Sequence, residues 1–174
     1  MADYYNPTVI DPPIPMADMT ACERLLLCGM FEHDVDDTAE TIRFYASTGV
    51  NDMPSLDMAT VLTALATDAG TDTLASRLFV EHIFDVGTGA DELTLDLSVT
   101  SHEGVLQGIV RRAPHLNGIA VITSFMCSKM LPDGFGGMAV LVTADAIQSR
   151  TTDEILQEFR IAAGLEAPAD APRQ

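Results

Sequence analysis

The sequence predicts a single α/β (or α+β) domain, a mixed sheet of about four strands with about five helices packed on its faces. Three observations carry this. Residues 92–127 read strand, helix, strand, a βαβ unit whose crossover should be right-handed. Two runs, "GIAVITSFMC" and "GMAVLVTA", are apolar on alternate positions and flank a Pro-Asp-Gly turn, so residues 118–144 should form a central antiparallel hairpin buried on both faces. Three T-x-x-E stretches, at 20–23, 100–103 and 151–154, have the spacing of helix-opening capping boxes. With 174 residues, 47% of them hydrophobic, one core can form without disulfide or metal.

Residues 1–17 come first, as an extended arm. "DYYNPTVIDPPIPM" holds four prolines and no helical or strand period. It also carries Tyr4, Tyr5, Val9, Ile10 and Ile14, more apolar surface than a solvated tail needs, so the arm is expected to lie on a surface of its own or of a partner.

The domain proper spans 18–164. Thr20 caps a helix over about 19–33 in which Leu26, Leu27, Met30 and Phe31 share a face. "HDVDD" ends that helix as a solvated acidic turn. "ETIRFYA" alternates Ile42, Phe44 and Ala46 against Arg43 and Tyr45 and predicts an edge strand. Ser55 should cap a second helix that Gly70 stops, and Thr71 or Asp72 a third carrying Leu74, Leu78, Phe79, His82 and Ile83 on one face. "ELTLDLSVT" has the cleanest period-2 alternation in the chain and predicts a second edge strand. The next helix buries Val105, Leu106, Ile109 and Val110, and places Arg111 and Arg112 in its last turn, where cations suit the dipole. Glu154 follows Thr151 at the start of the last helix, which Gly164 ends. Residues 165–174, "LEAPADAPRQ", have the composition of a disordered tail.

The segment "SKMLPDGFGGMAV" holds the only lysine, Lys129, beside a cluster of glycines. A phosphate cradle needs a glycine turn that leads into a helix N-terminus. These glycines lead into a strand, neither GxGxxG nor the Walker spacing is present, and no cofactor is expected. Pro132, Asp133 and Gly134 instead suit a three-residue hairpin loop with Gly134 left-handed. That register sets Cys127 opposite Ala139, Lys129 opposite Gly137 and Leu131 opposite Phe135. Gly136 and Gly137 then relieve crowding or let the hairpin bend, and alternatively admit another chain's backbone.

Chemistry-bearing residues are sparse. Cys22, Cys28 and Cys127 form neither a CxxC pair nor an even set and read as reduced thiols. Cys127 lies mid-strand in an apolar run, where an inert thiol is the expectation, although Lys129 beside it could activate it on an open face. The "EHDVDD" stretch has oxygen and nitrogen donors but neither the EF-hand nor the HExxH spacing, so no metal site is assigned. His82 reads as a histidine at the core edge.

The formal charge of −17 comes from 26 acidic against nine basic residues. It disfavours direct binding to nucleic acid and to anionic membranes. No run of 18 apolar residues is present, and the N-terminus lacks the pattern of a signal peptide, so a cytoplasmic location is expected. The functional expectation is a non-catalytic protein that acts through contact with another protein, or with a second copy of itself. Tyr4, Tyr5, Ile10, Met130, Leu131 and Phe135 are the contact candidates. A narrower form is an inhibitor or DNA mimic that occupies the basic groove of a nucleic-acid enzyme. The alternative is a small enzyme or ligand-binding domain built on Cys127, Lys129 and a nearby histidine. Carboxylates spaced about 7 Å apart along one line would favour mimicry; a pocket reaching Cys127 with a histidine in range would favour the enzyme.

Overall fold

The computed structural model describes residues 3–129 and 134–165. Among the described residues the chain combines five α-helices with an eight-stranded antiparallel sheet, larger than the four strands expected. The strands are β1 (Tyr4–Tyr5), β2 (Thr8–Asp11), β3 (Ile14–Pro15), β4 (Glu32–Asp36), β5 (Thr41–Ala46), β6 (Ser55–Asp57), β7 (Glu92–Thr94), β8 (Ile119–Cys127), β9 (Gly136–Val142) and β10 (Ile147–Thr151). The helices are α1 (Ala21–Met30), α2 (Met58–Thr67), α3 (Leu74–Val86), α4 (His102–Arg112) and α5 (Thr152–Ala162).

Eight strands form the main sheet. Across it the order is β10, β9, β8, β2, β5 and β4, with β1 in line with β2 beside β8, and β3 in line with β2 beside β5. Every pairing is antiparallel. The βαβ unit is therefore absent. Both sides of β8 are taken, by β2 and β9, and β7 pairs instead with β6 in a separate two-stranded ribbon. Leu95 N and Leu97 N donate to Pro54 O and Asp52 O (3.0 and 2.8 Å), so the alternating stretch stays extended past β7 and buries Leu93, Leu95 and Leu97.

The N-terminal segment is extended as expected, but it lies inside the sheet and joins its two halves. Pro7 and Pro12 bracket "TVID", which keeps its own N–H groups and buries Thr8 and Ile10 while Val9 and Asp11 face out. The prolines bound a strand; they do not exclude one. The acidic stretch after α1 likewise is strand β4, hairpinned to β5, with Glu32, Asp34 and Asp36 on one face and His33 and Val35 on the other.

The β8–β9 register also differs from expectation. Ile122 opposes Ala139 and Phe125 opposes Gly136, so β8 is shifted by five residues and a longer connection replaces the three-residue loop. The end of β8 pairs with β1, Cys127 opposite Tyr4, and not with β9. Met130, Leu131, Pro132 and Asp133 lie outside the described residues. Gly134 does not have positive φ; a Cβ there would collide with Cys127 Cβ and come within 3.2 Å of Tyr4 Cε1. Gly136 leaves room for Thr152, whose hydroxyl accepts from Gly137 N (3.0 Å), and a Cβ at Gly137 would crowd Thr123 O on the neighbouring strand.

Helices α1 and α4 pack on one face of the sheet, with α2 and α3 stacked against them and against the β6–β7 ribbon. Ile10, Ile42, Phe44, Val121 and Val140 from the sheet meet Leu26, Leu27, Phe79, Leu106 and Ile109 from the helices. The boxes at Thr20/Glu23 and Thr151/Glu154 form. At α4 the cap is Ser101, without a side-chain bond to the backbone, and Ser101 Oγ donates to Glu103 instead. The cap of α2 is Asp57, because Ser55 belongs to β6. Thr73 caps α3 in a box with Ser76.

Candidate interaction surface

Covering one face of an antiparallel sheet leaves the other for water or a partner. Register fixes what that outer face presents. One cross-strand row runs Arg150, Ala139, Ile122, Val9, Tyr45 and Glu32 from edge to edge. A second contains Leu141, Ala120 and Asp11. Val9 is 47% exposed, Ile122 50% and Leu141 46%. Met126, paired with Tyr5, extends the apolar area toward the end of β8. Exposed apolar side chains scattered singly are ordinary; a contiguous patch on a flat sheet is not.

Six strands about 4.8 Å apart span about 24 Å, and the nine residues of β8 run about 30 Å. The face therefore offers at most about 700 Å², close to the ~800 Å² that one partner contributes to a standard interface.

Its borders are charged. On edge strand β4, Glu32, Asp34 and Asp36 recur every second residue and so stand about 6.7 Å apart in one line. Ser47 donates to Glu32 through its backbone N and its hydroxyl (both 2.9 Å), which holds that carboxyl below the usual range. Asp36 Oδ1 accepts from Thr38 N and Ala39 N, which fixes the hairpin turn. At the opposite border Arg150 pairs with Glu158 of α5 (2.5 Å). Helix α5 buries none of its side chains, and Leu156 and Phe159 stand exposed beside that edge.

The sequence-derived candidates are distributed unevenly. Tyr4, Tyr5 and Phe135 are exposed, and the two tyrosines flank the end of β8. Ile10 is 1% exposed, a core residue, because the strand alternation turns it toward α1 and α4. Cys127 is 3% exposed under Gly134 and Tyr4, while Lys129 is exposed. His82 is satisfied locally: its Nε2 accepts from Asp96 N (3.3 Å), which leaves Nδ1–H to donate to Leu78 O (2.9 Å).

Val9 belongs to the apolar residues that mark the arm in sequence, whereas Ile122, Met126 and Leu141 carry no distinguishing pattern of their own. The available signal is that β8 reads Ile122, Ser124, Met126 on one set of positions, mixed where the opposite set begins Ile119, Val121. Among the described residues, no helix is long and apolar enough to cross a membrane. No protein-family model, curated protein or solved structure matches the chain.

Proposed function

We propose that the chain is a non-catalytic cytoplasmic protein that acts by protein–protein contact through the outer face of its main sheet. The observation that carries the reading is the uncovered apolar strip of Val9, Ile122 and Leu141, bordered on β4 by Glu32, Asp34 and Asp36. The partner has an apolar patch flanked by basic side chains. The two-residue step of that carboxylate row is close to the ~7 Å separation of successive phosphates along a nucleic-acid strand. This favours the narrower form, an acidic inhibitor or DNA mimic seated on a basic groove. A second copy of the chain is the alternative occupant. The burial of Cys127 counts against an enzyme built on that thiol.

The test is affinity capture from the native host with three baits: the wild-type chain, Ile122→Lys, and the triple variant Glu32→Gln/Asp34→Asn/Asp36→Asn. All the altered side chains are exposed, so folding should be retained. A partner held by the wild type and lost from Ile122→Lys supports the face as the contact. Loss from the triple variant, with restored capture at low salt, supports the mimic form. Identical partners on all three baits would overturn both.

A further inference from the structure

The inner face of the sheet is not covered completely. Helices α1 and α2 stop short of β4 and leave a groove of about 470 Å³ over His33, Val35 and Ile42. Helix α1 turns Ala21, Arg24, Leu25 and Cys28 into it, a full i, i+3, i+4, i+7 face, and α2 turns residues 60, 63, 64 and 67 in the same spacing. The volume lies within the range of small-ligand sites.

The lining has a pronounced charge bias. The chain carries 26 carboxylates, yet none of the residues lining this groove is acidic. Arg24 and His33 are the two that can be cationic. Among the described residues no carboxylate lies within ion-pair distance of Arg24. The threonine hydroxyls on α2 are spent locally: Thr60 donates to Asp57 Oδ2, Thr63 to Ala59 O and Thr67 to Thr63 O. An arginine without a counter-ion beside an apolar cleft, in a chain so rich in counter-ions, is the arrangement an anionic head group would complete.

We propose that this groove binds a small amphipathic carboxylate, its hydrocarbon body against Leu25, Val35, Ile42 and Ala64 and its head group on Arg24 and His33. The site lies on the opposite side of the sheet from the proposed contact face and stands independently of it.

Cys28 provides a built-in reporter. It is half-buried in the groove wall, whereas Cys22 and Cys127 are buried elsewhere. Burial pushes the Cys28 thiol up while the Arg24 charge draws it down, so alkylation is followed at mildly alkaline pH. The probe is decanoate, with decanol as the uncharged counterpart, read by calorimetry and by the rate of iodoacetamide addition to the Cys28 peptide in mass spectrometry. Decanoate should slow Cys28 alkylation at least fivefold. Arg24→Gln, at an exposed helical position, should weaken decanoate about tenfold, the loss of one charge-assisted contact. Thr63→Trp, also exposed, should block the groove, protecting Cys28 without ligand and abolishing binding. Unchanged alkylation at saturating decanoate overturns the site. Equal affinity of Arg24→Gln, or equal protection by decanol, overturns the carboxylate assignment.

Discussion

Arg112, in the last turn of α4, closes an ion pair on Glu23, a carboxylate that is 1% exposed in the first turn of α1. Glu23 also accepts from Thr20 N (3.0 Å), so one side chain both caps α1 and anchors α4 to it. Gly108 lies one turn before the arginine, and a Cβ there would sit in ordinary contact, 3.5 Å from both Arg112 Nη1 and Glu23 Oε1. Removing the exposed partner alone leaves a buried charge without compensation. Arg112→Met is expected to lower stability by about 3 kcal/mol in urea unfolding. Glu23→Leu combined with Arg112→Met should recover more than half of that loss. A single variant within 0.5 kcal/mol of wild type, on the order of a neutral surface change, would show that the pair does not hold the helices together.

Asp68, just beyond the C-terminus of α2, caps the start of a different helix. Its carboxylate accepts from Ala21 N (2.9 Å) and Cys22 N (2.7 Å), two of the orphan amides of α1. Those amides, together with hydrogen bonds from the Cys22 and Thr20 side chains, outweigh desolvation and hold its carboxyl below the usual range. Burial, with Asp68 beside it, pushes the Cys22 thiol up to about 12. Asp68→Ala should cost about 1–2 kcal/mol, as the loss of a helix cap does, and should lower the Cys22 pKa. Thiolate absorbance of a Cys28→Ser/Cys127→Ala background, titrated with pH, reads the second effect directly. A Cys22 that titrates identically with and without Asp68 would contradict the arrangement.

Gly134 is required by proximity and not by backbone conformation. A β-carbon at this position would be forced against Cys127 Cβ. Gly134→Ala should therefore destabilise by about 1–3 kcal/mol through overpacking. Cys127→Ser keeps the offending Cβ and should not relieve the cost, whereas Cys127→Gly should relieve part of it. Relief by the serine variant, or a neutral Gly134→Ala, would remove the contact as the explanation.

Local signals were legible where a side chain bonds within three or four residues of itself. Thr20 with Glu23 and Thr151 with Glu154 are such pairs, and both open helices as their spacing predicts. The alternation of Leu93, Leu95 and Leu97 also gave the correct dry face, but alternation carries no information on which strand lies alongside. That choice is made at long range: β8 is flanked by β2, more than 100 positions earlier in the chain, and β7 is diverted to β6. The same blindness hid the exposed apolar face. Ile122 and Val121 are equally apolar in sequence, and only the absence of a helix layer on one side separates the exposed residue from the buried one. Pro7 and Pro12 misdirected the reading of the N-terminus, because composition averaged over the arm masked a four-residue strand between them.

His102 supplies a pH dependence of definite sign. The ring stands edge-on to Phe31, with centroids 5.3 Å apart, and its Nε2 has no hydrogen-bond partner; Glu103 Oε1 lies 3.5 Å away. Burial pushes the imidazole below its ordinary value of 6.5, and the Glu103 charge opposes that only in part. Above pH 6.5 both folded and unfolded chains hold this ring neutral, and it has no effect on stability. As pH falls through 6.5 the unfolded chain takes up a proton that the folded chain refuses, so stability declines until the depressed folded value is reached. The carboxylates with lowered values, Asp68 among them, add their own loss only at more acid pH, as they become protonated. His102→Phe keeps an aromatic ring against Phe31 and removes the titration. As the pH falls below 6.5 the urea midpoint of the wild type should fall more steeply than that of His102→Phe, and the two curves should run parallel again only below the depressed folded value. Parallel curves over the whole range would mean that the ring accepts its proton as readily when folded as when unfolded.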